Sequence, residues 1–300
     1  MNFTVLTLFA DVIASYMNSS IMGRALQKGI INLDIIDIRD YSCNKHNRVD
    51  DYPYGGGAGM VMEAGPVYKA CEAAKALHPD MASRIIYMSP SGRRFDQEIA
   101  KELAKEEDLI LLCGHYEGID ERVLQLEIAE DDYISMGDFV LTGGELPALA
   151  VMDAVSRLIP GVLNNDESAG DESFENGLLE YPQYTRPEEF MGIKVPEILL
   201  SGHHANIAQW RLEQSIRRTL LRRPDLLESS IYGNDRAFMK AVRANLENGG
   251  LDDEQSGILK NLLKPEKPKQ IRKTIPLNGE LYEERQTEGG SDNLTTRNKR

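Results

Sequence analysis

Between residues 109 and 147 the chain gathers the residue types needed for a pocket that works through main-chain groups. The stretch reads LILLCGHYEGIDERV, then a short spacer, then ISMGDFVLTGGELP. One apolar run enters Cys113-Gly114, and a second enters Met136-Gly137-Asp138. A third, Phe139-Val140-Leu141, ends in Thr142-Gly143-Gly144 ahead of a helical pattern. Glycine at a strand end leaves N–H and C=O groups free, with no Cβ to hinder approach. Such a wall suits a flat adenine ring and its ribose. Beside it stand His115, Tyr116, Glu117, Asp120, Glu121 and Arg122. Acids at a helix N-terminus complement the helix dipole, which accounts for Asp120 and Glu121. That does not account for Tyr116-Glu117, held between two glycines.

The elements that must position these residues alternate between strand and helix. Strand-like runs fall at 3–8, 33–38, 85–88, 109–113 and 133–135. Several are too continuously apolar for a sheet with one wet face, as expected of a parallel sheet covered on both sides. Helical periodicity lies between them: one helix opens at Pro66 and runs to Leu77, and a second, DQEIAKELAKEE, is capped by Asp96. A third runs from Glu145 to Leu158, with Arg157 near its otherwise apolar end. Ligands of open α/β sheets bind outside the carboxyl ends of strands. Ser89-Pro90, Cys113-Gly114 and residues 137–144 stand at three such ends, which points to one pocket.

Residues 163–177 are polar and acidic and read as a linker. Beyond them the pattern is helical only: 206–223, a turn at 224–228, then 235–245 and 252–263. From Lys264 the chain is charged and nearly free of apolar residues, which predicts a disordered tail. The domains expected are therefore 1–162 (α/β), 163–177 (linker), 178–263 (all-α) and 264–300 (tail).

Three scattered cysteines, Cys43, Cys71 and Cys113, form neither a disulfide framework nor a zinc site, and the five histidines have no metal spacing. A reducing cytoplasm is the simplest home. The opening residues lack the basic start of a signal peptide, and no apolar run approaches a membrane span. A net charge of −14 argues against nucleic acid in general. Its distribution argues locally for it. Between His203 and Arg223 stand Arg211, Arg217, Arg218, Arg222 and Arg223 against the single acid Glu213. A solvated helix face explains that run as well as an RNA-binding patch does. The phosphate-loop, dinucleotide and nucleophile-elbow fingerprints are absent. The glycine-rich run from Pro53 to Gly59 follows a polar loop and is equally a surface loop or a cradle.

Six runs together carry a resemblance: PYGGGAGMVM, LLCGHYEGIDERV, GDFVLTGGELPA, RLIPGVL, GLLEYPQYTRP and LLSGHHANIAQWRLEQSIRRTLLRRP. In order, and over about residues 1–245, they resemble the bacterial tRNA (guanine-N1)-methyltransferases. The resemblance implies a SPOUT-class α/β domain with a deep trefoil knot, followed by a small all-α tRNA-binding domain. It also implies S-adenosylmethionine as methyl donor, a magnesium requirement without an identifiable protein site, and a homodimer whose subunits share each active site. The substrate implied is the guanosine 3′ of the anticodon, tRNA position 37.

The donor site implied comprises Pro90, Gly114, Tyr116, Gly118, Met136, Gly137, Asp138, Phe139, Val140, Leu141, Gly143 and Gly144. Met136 stands where the family usually has isoleucine. Guanine N1 holds a proton at neutral pH, so its methylation needs a general base, and charge developing on O6 needs a cation. The resemblance assigns the cation to Arg157 and places Glu117 beside the substrate. The family's basic aspartate falls on Glu172, with Asp171 just before it. The fixed motifs on either side favour Glu172, and Asp171 remains the alternative. The tRNA-binding role falls on Arg211, Arg217, Arg218 and Arg222. The rival readings are a catalytically impaired RNA-binding protein of the same fold and a different nucleotide-binding enzyme such as a dehydrogenase.

Overall fold

The computed structural model of the chain describes residues 1–163, 173–174, 176–229 and 235–264. Strand β1 (Asn2–Thr7) leads through helices α1 (Ala10–Met17) and α2 (Ser20–Gln27) to β2 (Asn32–Asp37). A short ribbon, β3 (Asp50–Asp51) with β4 (Val61–Met62), precedes α3 (Ala64–Leu77), β5 (Ser83–Arg94) and α4 (Gln97–Leu103). Next come β6 (Asp108–Cys113), α5 (Glu121–Glu127), β7 (Tyr133–Ser135) and α6 (Glu145–Ser156).

Five of these strands form one parallel sheet in the order β2-β1-β6-β5-β7. Successive side chains of a strand point to opposite faces. Phe3, Val5, Leu109 and Leu111 therefore join a core with α1, α2, α4 and α6, while Leu6, Ile110 and Leu112 join another with α3 and α5. Burial on both faces is why these strands read as unbroken apolar runs.

The structure departs from the sequence reading at several points within this part, among them the β3–β4 ribbon and the end of α6 at Ser156 rather than Leu158. Helices α1 and α2 were not anticipated. Helix α3 begins two residues before Pro66, which sits in its first turn. Helix α4 stops at Leu103, short of the expected 107, because the Glu107 carbonyl already accepts the Asn2 amide at the sheet end (2.8 Å). Strand β5 does not end at Met88. It runs to Arg94 through a register shift between Met88 and Arg93 that contains Ser89-Pro90-Ser91-Gly92. Proline suits a bulge, where its missing N–H breaks no ladder bond. At Gly92 a Cβ would lie 2.2 Å from the Tyr133 carbonyl carbon, so only glycine fits.

An ion cluster braces this bulged strand. Arg84 reaches Glu102 (2.8 Å), Glu106 (3.1 Å) and Asp132 (2.6 Å), and Arg93 reaches Glu102 (2.8 Å). The hydrogen bond from Arg93, and then that from Arg84, holds the Glu102 carboxyl at a pKa of about 2 against the pull of burial. A depressed folded pKa gives stability that is present above the unfolded value and lost as pH falls towards the folded one. Glu102 is two-fifths exposed, so screening limits the gain to about 1 kcal/mol. Glu102→Gln is accordingly expected to lower unfolding stability at pH 7 by about 1 kcal/mol. In urea titrations that gap closes as pH drops from about 5 towards 2. A gap that persists at the acid end contradicts the ionic account.

The later part comprises β8 (Glu189–Phe190), β9 (Ile193–Lys194), α7 (Glu197–Leu200), α8 (His204–Arg222), α9 (Pro224–Ser229), α10 (Arg236–Glu247) and α11 (Asp253–Leu262). The expectation of helices only is corrected by the β8–β9 hairpin. Met191 (φ 53°) and Gly192 (φ 81°) close it with the paired positive φ values that a two-residue hairpin turn requires. Ile216 and Leu220 of α8 pack with Phe238, Ala241 and Val242 of α10 and with Leu259 of α11 in a core of their own. Asp235 and Asp252 cap α10 and α11, the latter in a capping box with Gln255. Among the described residues no helix is long and apolar enough to cross a membrane.

Candidate active site

The bulge of β5 and the carboxyl ends of β6 and β7 meet the N-terminus of α6 around a cleft of about 270 Å³. Its walls are main chain at close quarters. The Gly144 amide donates to the Gly114 carbonyl (3.0 Å), and a Cβ on Gly144 would lie 2.7 Å from Cys113 Cα. A Cβ on Gly114 would meet the Tyr87 hydroxyl at 3.0 Å. Tyr116 holds a positive φ of 57° between these walls. Strain of that kind in a residue with a side chain marks a constrained position.

Of the residues expected to hold the donor, Pro90, Gly114, Tyr116, Gly118 and Met136 line the cleft. Phe139, Val140, Leu141, Gly143 and Gly144 line it too. Gly137 and Asp138 do not. Gly137 is buried, and its N–H and C=O both bond the Ser135 hydroxyl (3.1 Å each), whereas Asp138 faces solvent. The role of Gly137 is conformational, with φ at 137°.

Glu117 is exposed at the cleft wall, its amide bonded to the Met60 carbonyl (3.0 Å). The glycine-rich run packs against it, for a Cβ on Gly59 would lie 2.2 Å from Glu117 Oε1. What the sequence left open between surface loop and cradle is thus a loop brought to the cleft rim. Arg157 follows the last residue of α6, half-buried, with its amide on the Asp153 carbonyl (3.1 Å). The twelve residues of α6, Glu145–Ser156, run from the cleft rim to Arg157, a rise of roughly 18 Å. Arg157 and the cleft thus stand at opposite ends of α6. Glu172 and Asp171 lie outside the described residues.

Sequence reasoning missed Tyr87, Met88 and Pro147, which also line the cleft. It also missed Thr7 and Glu145. Glu145 is only 6% exposed and bonds both His115 and Thr7. The signal was available for the strand-end residues, since β5 stops being regular at Met88. Nothing local marked Thr7. Burial, and then the Glu145 carboxylate, raises the Cys113 thiol well above its ordinary pKa, so this cysteine is no nucleophile. Among the described residues neither lysine nor arginine lines the cleft.

On α8 the expected tRNA-binding arginines divide. Arg218 donates to the Glu180 carbonyl (3.0 Å), Arg217 to the Gly249 carbonyl (3.4 Å), and Arg211 lies over the Tyr181 ring (4.7 Å). Arg222 is exposed.

A family model described as tRNA (Guanine-1)-methyltransferase TrmD matches residues 1–229. A protein of Lachnoclostridium phytofermentans named tRNA (guanine-N(1)-)-methyltransferase is 52% identical over 269 residues, covering 81% of this chain and 97% of its own. Two others bear the same name. That of Lachnospira eligens is 57% identical over 240 residues, covering 79% of this chain and 100% of its own. That of Ruminiclostridium cellulolyticum is 58% identical over 228 residues, covering 75% and 96%. The match spans the glycine-walled cleft, α6 and α8 alike, and the chain belongs to the tRNA (guanine-1)-methyltransferase family.

Proposed function

We propose that the chain transfers a methyl group from S-adenosylmethionine to N1 of the guanine at tRNA position 37. The observation that carries this reading is a glycine-walled cleft at the strand ends of a chain belonging to this family. Main-chain groups at Gly114, Gly143 and Gly144 suit an adenosine moiety, and a wall without lysine or arginine suits a cationic sulfonium. The fit supports the donor, which when bound supplies an electrophilic methyl group.

The chain's own residues then have three tasks. The Glu172 carboxylate takes the N1 proton, the Arg157 guanidinium faces the charge developing on O6, and Glu117 orients the base at the rim. The placement of Arg157 at the far end of α6 from its own cleft, roughly 18 Å along the helix axis, supports a homodimer in which each donor site works with the Arg157 of the other copy. An apolar strip on α1 and α6, with Val12, Tyr16 and Leu146 each more than two-fifths exposed, offers a face for that second copy. We assign residues 1–162 to a trefoil-knotted SPOUT domain, 163–177 to a linker and 178–263 to tRNA binding; the tail expected at 264–300 lies, from residue 265 onward, outside the described residues. Three free cysteines fit a reducing cytoplasm. Among the described residues no cluster of His, Cys, Asp and Glu is formed to hold magnesium.

The reading is tested with labelled S-adenosylmethionine and unmodified tRNA carrying guanosine or adenosine at position 37. Methyl incorporation is expected with guanosine alone. Binding of tRNA without incorporation would instead favour a catalytically impaired member of the fold. For the arginines, Arg222→Ala is expected to lower the slope of log affinity against log salt by about one. Filter binding over a salt series measures it, and an unchanged slope removes Arg222 from the phosphate contacts.

A further inference from the structure

Glu145 opens α6 with its carboxyl group buried, and a buried carboxylate needs donors. Two reach it. Thr7 Oγ1 lies 2.6 Å from Oε1, and His115 Nε2 lies 2.9 Å from Oε1 and 2.7 Å from Oε2. The Thr7 hydroxyl also accepts the Phe9 amide (2.9 Å), which leaves its own proton for Glu145. The Phe9 ring in turn lies against the His115 ring, with centroids 4.8 Å apart.

The donor loop passes beside this chain of bonds. Gly143 pairs with His115 in an antiparallel bridge. A Cβ on Gly143 would lie 2.2 Å from His115 Cε1 and 2.6 Å from Glu145 Oε2. Ring and carboxylate thus close directly over the main chain of residue 143. The loop has little packing of its own, since Phe139, Val140 and Leu141 are 55%, 82% and 40% exposed. Its path depends on the bonds that hold residues 143–145.

We propose that Thr7, Glu145 and His115 form a latch that positions the 139–144 loop for the methyl donor. They are positioning residues; His115 also lines the cleft, whereas Thr7 does not, so the Thr7 pair separates positioning from direct contact. The inference rests on reading the cleft as the S-adenosylmethionine site. With the latch intact the loop is ordered before the donor arrives; without it, the ordering cost falls on binding. Loss of the latch should therefore raise the donor KM and leave kcat at saturating donor nearly unchanged.

The test uses the full chain, with S-adenosylhomocysteine as calorimetric probe, in two matched pairs of variants. His115→Leu and Thr7→Val remove the donated bonds. They are expected to weaken binding about tenfold, a change of about 1.4 kcal/mol. His115→Gln and Thr7→Ser keep a donor in place and should stay within about threefold of the parent. A purely structural role would shift melting temperatures without separating the conservative member of each pair from the other. Equal affinities within both pairs overturn the proposal, as does parent-like binding by His115→Leu. Should His115→Leu fail to fold, the Thr7 pair decides by the same criterion. A parent chain that binds no S-adenosylhomocysteine overturns the donor-site reading itself, and the latch with it.

Discussion

Gly144→Ala is expected to weaken S-adenosylmethionine binding by about 10- to 100-fold while the helical part continues to bind tRNA. The reason is geometric. The added Cβ would stand 2.7 Å from Cys113 Cα, 3.0 Å from Cys113 Cβ and 3.1 Å from the Gly114 amide. These are atoms of the central strand β6 and of the loop leaving it, and Cys113 is fully buried. No flexible side chain is available to yield. The hydrogen bond from the Gly144 amide to the Gly114 carbonyl must lengthen, and the two cleft walls are pushed apart there. Forcing one extra methyl group into such a place costs about 1–3 kcal/mol. Calorimetry with the donor, and filter binding with tRNA, separate the two effects. Donor affinity equal to the parent's would show that the cleft described here is not the donor site.

Glu172→Gln is expected to reduce kcat by about 10²- to 10⁴-fold, the range a general base supplies, with donor affinity unchanged. Asp171→Asn should leave kcat within about threefold of the parent. The opposite pattern would move the base to Asp171. Arg157→Ala is expected to lower kcat by about 10²- to 10³-fold, since it removes a charge that matters only as O6 becomes anionic. The position of Arg157 adds a sharper consequence. If each site draws its donor cleft from one copy and its arginine from the other, a mixture of Gly144→Ala and Arg157→Ala chains, each strongly impaired at limiting donor, forms heterodimers with one intact site. Reassorted equally, such a mixture should regain roughly a quarter of parental activity. No recovery after verified subunit exchange would place Arg157 and the cleft in the same copy.

Much of this architecture could be read from local pattern. The alternation of Phe3, Val5, Leu109 and Leu111 to one face and Leu6, Ile110 and Leu112 to the other is visible as apolar runs. The glycines that wall the cleft stand where those runs stop. Asp96 and Asp252 announce the helices they cap. What escaped depends on distance along the chain. Thr7 and Glu145 are 138 residues apart and His115 and Glu145 are 30 apart, so no window of sequence holds the latch. The bulge in β5 was hidden because Pro90 and Gly92 signal a turn locally. Only the approach of Tyr133 shows that they sit inside a strand. On α8 the basic run is legible, but not that two of its arginines bond the Glu180 and Gly249 carbonyls, which lie far from them in sequence.

The central claim concerns one atom of one base. Unmodified tRNA with guanosine at position 37 is incubated with the chain and S-adenosylmethionine, digested to nucleosides and analysed by mass spectrometry. The account predicts N1-methylguanosine, up to one per tRNA and none when position 37 is adenosine. Methyl groups found on another atom or another nucleoside, or no methylated product at all, would contradict it.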